Sequence, residues 1–456
     1  CDAVVSIYHA RADYEVPGPL TLAAARLNPR SASADVRRDQ PKRDAKLTQV
    51  NARVEQHNAV IELQAGISWL HTADWFRQLQ SNGISDSHSD DVTFRGSLLR
   101  RFDAAGGNHL LRLSTVVSRG WRALRRLRND AGVTGTSFGH DGLFATTAAI
   151  DLEGTARLDE NLAFTAGVSS LSIIRDISDR ASDPSNDLPT SQRLHSSPVE
   201  PRARLTWAAA PGLTLHTSVS TATEPPTFDD LLVVTGSYPN LNQRSQRLAS
   251  QRATTSEIGT SGTRGALGWD LVAYSAEWRN EILRLADEHG QPRGAVNASP
   301  TRHHGIEASL RWVFIEGDHR LSLVSTVAWN RFRFVDDPVY GRHRLAGAPP
   351  QLGSVTLLYE DPRGFFASPA LEWTAGATPV DHAGRLAYGG HTLVHFRAGW
   401  RAGAGWTLFA EVKNVFDRVH IASTAGVLDL ARNPATTAVF LPGVGRSVTL
   451  GFEWTL

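Results

Sequence analysis

Five arginines crowd one short segment of the chain, residues 119–130, which reads RGWRALRRLRND. They are Arg119, Arg122, Arg125, Arg126 and Arg128. A guanidinium group binds carboxylate or phosphate through paired hydrogen bonds, so arginines grouped in one loop can hold an anionic ligand. Two simpler interpretations stay open: the arginines contact the phosphates of a membrane surface, or they belong to a solvated loop. The first four are our candidates for ligand binding.

The remaining polar residues give no pattern typical of catalysis or of a resident metal. The 17 histidines form no H-E-x-x-H pair, and no Cys/His spacing typical of zinc occurs. The sequence also has no G-x-S-x-G elbow, no Walker loop and no Gly-rich strand-to-helix turn. We therefore predict that the protein is not an enzyme and has no cofactor. A metal is expected only as part of a chelated ligand.

The elements that position these side chains are predicted to be β-strands. The final segment, residues 445–456, reads GRSVTLGFEWTL, and apolar residues alternate strictly with small or polar ones. Such alternation places one face of a strand against an apolar phase and the other against water. The same pattern predicts eighteen strands, at residues 2–9, 46–57, 59–71, 90–102, 108–119, 145–157, 160–173, 200–208, 213–223, 253–261, 268–278, 302–314, 318–331, 350–360, 364–374, 391–401, 405–414 and 446–456.

Short turns and long connections alternate between these strands. Long connections cover, for example, residues 72–89, 120–144, 224–252 and 415–445. Ordinary compact domains have connections of about four to six residues, so eight long ones argue against a soluble sandwich. Strands of roughly 9–11 residues cross a bilayer when tilted, with tight turns on one side and long loops on the other. The sequence therefore predicts an all-β fold, a transmembrane antiparallel up-and-down β-barrel with about 18 strands.

Composition limits the other possibilities. The 47 Lys and Arg residues balance 46 Asp and Glu residues, so net charge gives no argument for nucleic-acid binding. No run of 18 apolar residues is present, which excludes a transmembrane helix, and a single cysteine excludes an internal disulfide. The chain has no methionine. We therefore interpret it as the C-terminal piece of a longer protein rather than as a chain with a lipidated Cys1.

A barrel in a bilayer also predicts which charged residues face its interior. An Arg or Lys turned toward lipid at the midplane costs about 2–4 kcal/mol. Charged residues within the strands should therefore line the lumen and pair there with each other or with a plug. The predicted lumen-facing residues are Glu307, Arg311, Arg397, Glu411, Lys413 and Glu453.

Several segments resemble those of TonB-dependent outer-membrane receptors. Residues 217–231 (TSVSTATEPPTFDDL) resemble the S-x-x-x-x-x-P-T-F-x-E-L stretch of that family, and YPNLNQRS at 238–245 precedes RATTSEIG at 252–259. VKNVFD at 412–417 and PGVGRSVTLGF at 442–452 also match. Five weak motifs in the family's order make a strong signal. The resemblance is close from about residue 200 onward and rests on pattern alone before it.

The resemblance implies a 22-stranded barrel filled by an N-terminal plug, in the outer membrane of a Gram-negative bacterium. It also implies partners: the TonB–ExbB–ExbD complex, which pulls on an N-terminal box, and the outer-membrane lipid and lipopolysaccharide around the barrel. Residues 1–456 would be the C-terminal part of the barrel, with the plug and the first four strands absent. We expect a monomer that binds a small molecule and no nucleic acid.

The implied function is TonB-dependent active transport of a scarce, bulky ligand held by the outer loops and the plug. Residues 14–29 (YEVPGPLTLAAARLNP) are similar to outer loops of receptors for ferric siderophores or for a cofactor such as pyrroloquinoline quinone. Tyr238 and Asn240, in the outer-loop segment of the resemblance, join the four arginines as candidate ligand-binding residues. The alternatives are a passive porin-like channel and a surface-binding protein that uses its loops.

Overall fold

One antiparallel sheet, in which each strand pairs with the next, makes up most of the protein. The computed structural model describes residues 1–104, 107–180, 190–286, 292–402, 405–427 and 438–455. The strands of the sheet are β1 (Asp2–Glu15), β2 (Lys42–His57), β3 (Ile61–Arg77), β4 (Ile84–Ala104), β5 (Gly107–Asp130), β6 (Val133–Arg157), β7 (Leu162–Asp179), β8 (Gln192–Ser196), β9 (Val199–Ala210), β10 (Leu213–Glu224), β13 (Gln251–Arg264), β14 (Leu267–Arg279), β17 (Thr301–Ile315), β18 (Arg320–Phe334), β19 (Gln351–Glu360), β20 (Phe365–Pro379), β21 (Ala387–Ala402), β22 (Trp406–Lys413) and β25 (Ser447–Trp454).

Smaller elements occupy the long connections at one end of the sheet, which we call the loop side. They are three hairpins, β11 (Leu232–Ser237) with β12 (Asn240–Ser245), β15 (Ile282–Ala286) with β16 (Pro292–Asn297), and β23 (Ile421–Thr424) with β24 (Phe440–Pro442), and three helices, α1 (Leu22–Leu27), α2 (Ala34–Asp39) and α3 (Phe228–Leu231). Among the described residues, no helix has the length and apolarity needed to cross a bilayer.

The sheet confirms the predicted fold class and strand number. β8 and β9 both pair with β7 and are separated by residues 197–198, so they form one interrupted strand and the sheet has eighteen positions. All eighteen predicted segments lie within or largely overlap observed strands. Within the described chain, β1 pairs only with β2, and β25 pairs only with β22. The further four strands and the plug stay predictions.

The strands extend farther toward the loop side than the sequence predicts. The sequence predicts loops at residues 72–89 and 120–144, but β3 runs to Arg77, and β5 and β6 are joined by a turn at Ala131 and Gly132. Beyond a bilayer both faces of a strand are wet, so polar residues occupy both faces and alternation disappears although pairing continues. Alternation therefore predicts the part of each hairpin next to the short turns and misses the rest.

Two hydrophobic clusters pack the loop-side segments together. One joins α1 to the β20–β21 and β23–β24 segments, and Leu20 and Phe440 exchange backbone hydrogen bonds of 2.8 and 3.0 Å there. The other cluster joins Leu124, Leu143 and Ile177, on β5, β6 and β7, to Leu231 and residues near it. The segment containing α3 and β11 therefore folds back onto the wall of the sheet.

Candidate ligand-binding site

The arginine cluster lies on a strand, not in a loop as the sequence suggested, because β5 continues to Asp130. Opposite residues of paired antiparallel strands face the same side, and successive residues alternate. Arg122 lies opposite Leu143 and Arg126 opposite Gly139, whereas Arg119 lies opposite Thr146 and Arg125 opposite His140. Alternation thus divides the four candidate arginines into two pairs on opposite faces.

Arg122 and Arg126 lie on the face that the loop-side segments cover. Leu124, between them, is only 1% exposed and packs in the same cluster as Leu231 and Leu232. We call this the inner face of the sheet. The α3–β11 segment therefore lies over this arginine pair.

Arg119 and Arg125 lie on the outer face, where their neighbour Trp121 is 49% exposed. The Arg119 guanidinium carbon is 4.7 Å from the centroid of the Phe144 ring. A nitrogen of Arg125 lies 2.5 Å from an Asp86 carboxylate oxygen. Both outer arginines therefore have partners of their own and point away from the inner pair.

The inner pair lines a cavity of about 420 Å³ between β2, β3, β5 and the α3–β11 segment. A second cavity, of about 440 Å³, shares Arg43, Asp74, Arg122 and Asp229 with the first. The two cavities therefore form one groove along the inner face at the loop side, which we call the arginine groove. The charged residues of the first cavity are Arg43, Asp74, Arg122, Arg126, Asp229 and Arg284, and the second cavity adds Arg11 and Lys46.

Two of the four arginines that line the first cavity are neutralised by carboxylates in paired contacts. Arg43 donates to the two oxygens of Asp74 at 2.8 and 3.1 Å. Arg284 donates to the two oxygens of the buried Asp230 at 2.7 and 3.2 Å. Burial favours a raised pKa for Asp230, but hydrogen bonds from Arg284 and Thr227 outweigh it, so the pKa of this carboxyl lies below its ordinary value. These pairs fix the walls of the groove.

The other two arginines have little compensation. A nitrogen of Arg122 is 3.8 Å from an oxygen of Asp229, whose side chain is 72% exposed. Within the described residues, Arg126 Nε is shielded from solvent and has no hydrogen-bond partner. Burial lowers the pKa of Arg126, with Arg122 adding to the effect and Asp229 opposing it. An arginine remains charged in proteins, so the groove presents cationic donors that an anion would satisfy.

Tyr238 and Asn240 lie at the tip of the β11–β12 hairpin and are not among the residues that line the groove. A hydrogen bond with Asp130 raises the pKa of Tyr238, which places this side chain against the tip of the β5–β6 hairpin. The hairpin itself is held by Gln243, whose amide donates to the buried Asp141 on β6. The six predicted ligand-binding residues therefore occupy three separate places. Their roles stay predictions.

The six residues predicted to face the lumen share one face of the sheet, with Glu453 opposite Thr407 of β22. Glu307 lies opposite Ala328, Arg397 lies opposite Glu411, and the registers of the intervening strands carry the same face from β17 to β22. Arg311 and Lys413 follow by the two-residue repeat of a strand. The opposite face carries exposed apolar residues such as Ile306, 46% exposed, and Leu408, 52% exposed. That arrangement is the one expected if the charged face lines a lumen.

Sequence reasoning missed Arg43, Asp74, Asp229 and Arg284. Asp229 lies in the TFDDL motif that carries the resemblance, yet the motif gave no reason to place it beside Arg122. Arg43 and Asp74 fall where β2 and β3 extend beyond their predicted ends or into a predicted connection. Within the part of the chain that the structure describes, no group of three or more His, Cys, Asp or Glu residues is arranged to hold a metal ion.

Comparison with solved structures shows the same fold in several receptors. The ferric yersiniabactin uptake receptor FyuA from Yersinia pestis is 14% identical with a TM-score of 0.74, over 99% of this chain and 68% of that one. The siderophore receptor PiuA from Acinetobacter baumannii is 11% identical with a TM-score of 0.77, over 99% and 71%. The ferric citrate transporter FecA is 13% identical with a TM-score of 0.74, over 99% and 68%.

The sequence itself matches a known family. No match was found among curated proteins. The family model "TonB dependent receptor-like, beta-barrel" matches residues 7–415, which is most of the chain and agrees with the motifs and with the sheet. This chain therefore belongs to the TonB-dependent receptor-like β-barrel family.

Proposed function

We propose that the protein transports a scarce, bulky, anionic ligand across the outer membrane of a Gram-negative bacterium, driven by TonB. Membership of the TonB-dependent receptor family supports the transport class. The negative charge of the ligand is inferred from the inner pair, Arg122 and Arg126. These arginines face the groove, and carboxylates neutralise little of their positive charge. The ligand would enter from the loop side and bind in the arginine groove.

The chemistry of the groove favours a ligand with several carboxylate or similar oxygen anions. Guanidinium donors bind such groups in a planar, bidentate manner, and a pair of them on one strand face suits two anionic groups of one molecule. A ferric siderophore fits this description best, with its iron as cargo. A polycarboxylate cofactor such as pyrroloquinoline quinone is the second candidate. The receptors of similar fold include one for ferric yersiniabactin and one for ferric citrate.

The energy source in this proposal is the TonB–ExbB–ExbD complex, which would act through a plug and an N-terminal box that precede the barrel. The described strands would then form the C-terminal part of a 22-stranded barrel. A passive channel would need neither element, and neither would a surface-binding protein.

Growth of a deletion strain tests the proposal. Cells lacking this protein are supplied with ferric citrate, ferric catecholate and hydroxamate siderophores or pyrroloquinoline quinone as the limiting nutrient, with and without a working TonB. We expect one of these ligands to support growth only when both the receptor and TonB are present. Growth that needs the receptor but not TonB would indicate a passive channel. Growth on every ligand without the receptor would contradict a role in their uptake.

A further inference from the structure

A second group of arginines lies on the opposite, outer face of the sheet, near the loop-side ends of β17 and β18. Arg302 lies opposite Arg333, which in turn lies opposite Arg344 across an isolated bridge. One step closer to the short turns, His304 lies opposite Arg331. We call these five residues the outer basic patch. The registers place them on the same face as Ile306 and Trp329, which lie opposite each other in the next step down.

The patch has far more positive than negative charge. Glu277, opposite Arg302 on β14, accepts from that arginine. Within the described chain, Arg331, Arg333 and Arg344 have no carboxylate within salt-bridge distance. The Nε atoms of Arg302 and Arg333 are also shielded from solvent without a hydrogen-bond partner among the described residues. The crowded cations are evident at His304, where burial and then Arg302, Arg333 and Arg331 lower the pKa.

Like charges opposite each other on neighbouring strands destabilise a sheet. Three arginines side by side therefore need a negative charge that bridges them. The single glutamate neutralises only part of their positive charge. Phosphate satisfies this need best, because a guanidinium binds its oxygens in pairs and one phosphate can accept from two arginines.

The position of the patch identifies where the phosphate comes from. Ile306 and Trp329, which are 46% and 38% exposed, lie at the loop-side limit of the apolar part of this outer face. Arg302 lies about 13 Å from Ile306 along the strand, toward the loop side. An aromatic residue at this level is typical of the boundary between acyl chains and headgroups. A molecule that contacts both the apolar level and the arginine level would need acyl chains beside Trp329 and phosphates beside the arginines.

We propose that the outer basic patch binds the phosphates of a lipid in the outer leaflet, of the lipid A type that anchors lipopolysaccharide. The inference rests on the outer-membrane placement in the proposed function, but not on the ligand or on TonB. The patch faces away from the arginine groove, so the two sites bind different molecules. The lipid would neutralise the row of arginines and fix this side of the barrel in the membrane.

The test measures lipid binding to the receptor purified from outer membranes, stripped of bound lipid in detergent. Native mass spectrometry follows titration with diphosphorylated lipid A, with lipid A lacking phosphates, and with inorganic phosphate as competitor. The variant R331Q/R333Q removes two charges from the patch. The matched control R264Q/R363Q removes two exposed arginines at the opposite end of the sheet. The folded fraction of each sample is measured by heat-modifiable migration on gels, and samples are compared at equal amounts of folded receptor.

We expect R331Q/R333Q to weaken binding of diphosphorylated lipid A at least roughly tenfold, and R264Q/R363Q to leave it unchanged. R331K/R333K should bind more tightly than R331Q/R333Q but more weakly than the wild type, since the charge remains and the paired donors are lost. Unchanged binding by R331Q/R333Q, or equal loss in the control, would overturn the proposal. Displacement by millimolar inorganic phosphate would indicate a site for free anions and overturn the lipid assignment. Because the readout is lipid, failure here leaves the uptake proposal standing, and failed uptake leaves this result valid.

Discussion

Arg202 on β9 reaches across the whole of β7 to bind Asp151 on β6, with hydrogen bonds of 2.6 and 2.9 Å. The residue of β7 that lies opposite Arg202 is Gly167, which on its other side lies opposite Glu153, a second partner of the arginine. A Cβ atom on Gly167 would lie 2.8 Å from the guanidinium carbon of Arg202. Because glycine has no side chain at position 167, Arg202 can cross β7, and side chains from β9 and β6 form an ionic contact over it on the inner face.

The variant G167A should break this contact, because the new methyl group displaces the guanidinium from both carboxylates. We expect the free energy of unfolding to fall by about 1 kcal/mol relative to G154A. Gly154 on β6 is the control, since a Cβ there meets no atom within 4 Å. Urea unfolding in detergent, followed by tryptophan fluorescence, measures the difference. Equal stability of the two variants would show that the contact across Gly167 contributes nothing.

Neighbouring residues of β17 test which face lies against water. Arg311 lies opposite Gly268 and Val324, and its neighbour Leu310 lies on the other face by alternation. With Cys1 replaced by serine, R311C should react with a membrane-impermeant maleimide, while L310C should react only with a lipid-soluble one. Both labels are counted by mass spectrometry. Reaction of R311C with the lipid-soluble reagent alone would refute its lumen-facing position.

The buried Asp141 predicts a pH dependence for the docking of the β11–β12 hairpin. Burial raises the pKa of this carboxyl, although hydrogen bonds from Thr190 and Gln243 oppose the shift. A raised pKa means that the folded state binds the proton more tightly than the undocked state. Docking should therefore be strongest at acid pH and weaken as the pH rises from the ordinary carboxyl value to the raised one.

Hydrogen exchange of the β11–β12 amides, corrected for intrinsic rates between pH 4 and 7, measures this effect. Protection should fall as the pH rises in the wild-type protein. D141N cannot ionise but still offers an oxygen to Gln243, so its protection should not depend on pH. A wild-type profile parallel to that of D141N would contradict a titrating Asp141.

The sequence predicts the wall of this protein well and its site only in part. Alternation predicts every strand of the sheet in the part that crosses the bilayer, which we call the apolar belt. There, lipid on one face and water on the other require a two-residue repeat of apolar and polar side chains. Above this belt the repeat disappears, so the sequence predicts a strand only at residues 108–119 and a loop from residue 120 onward, and it groups the arginines as one cluster, although β5 continues to Asp130. Arg43 and Arg284 join the groove through strand register and through the fold of the α3–β11 segment. Residues close to Arg43 or Arg284 in the sequence therefore do not predict that these two arginines line the groove.

The division of the arginines by β5 gives the most direct test of the uptake proposal. Two variants remove the same charge from the same strand: R122Q/R126Q on the inner face and R119Q/R125Q on the outer face. The measurement is binding of the radiolabelled ligand identified by the growth panel to intact cells with equal receptor on their surface. We predict roughly hundredfold weaker binding for the inner variant, from two lost charge-assisted contacts, and nearly unchanged binding for the outer one. Equal binding by the two variants, or a greater loss for the outer pair, would contradict the arginine groove as the ligand site.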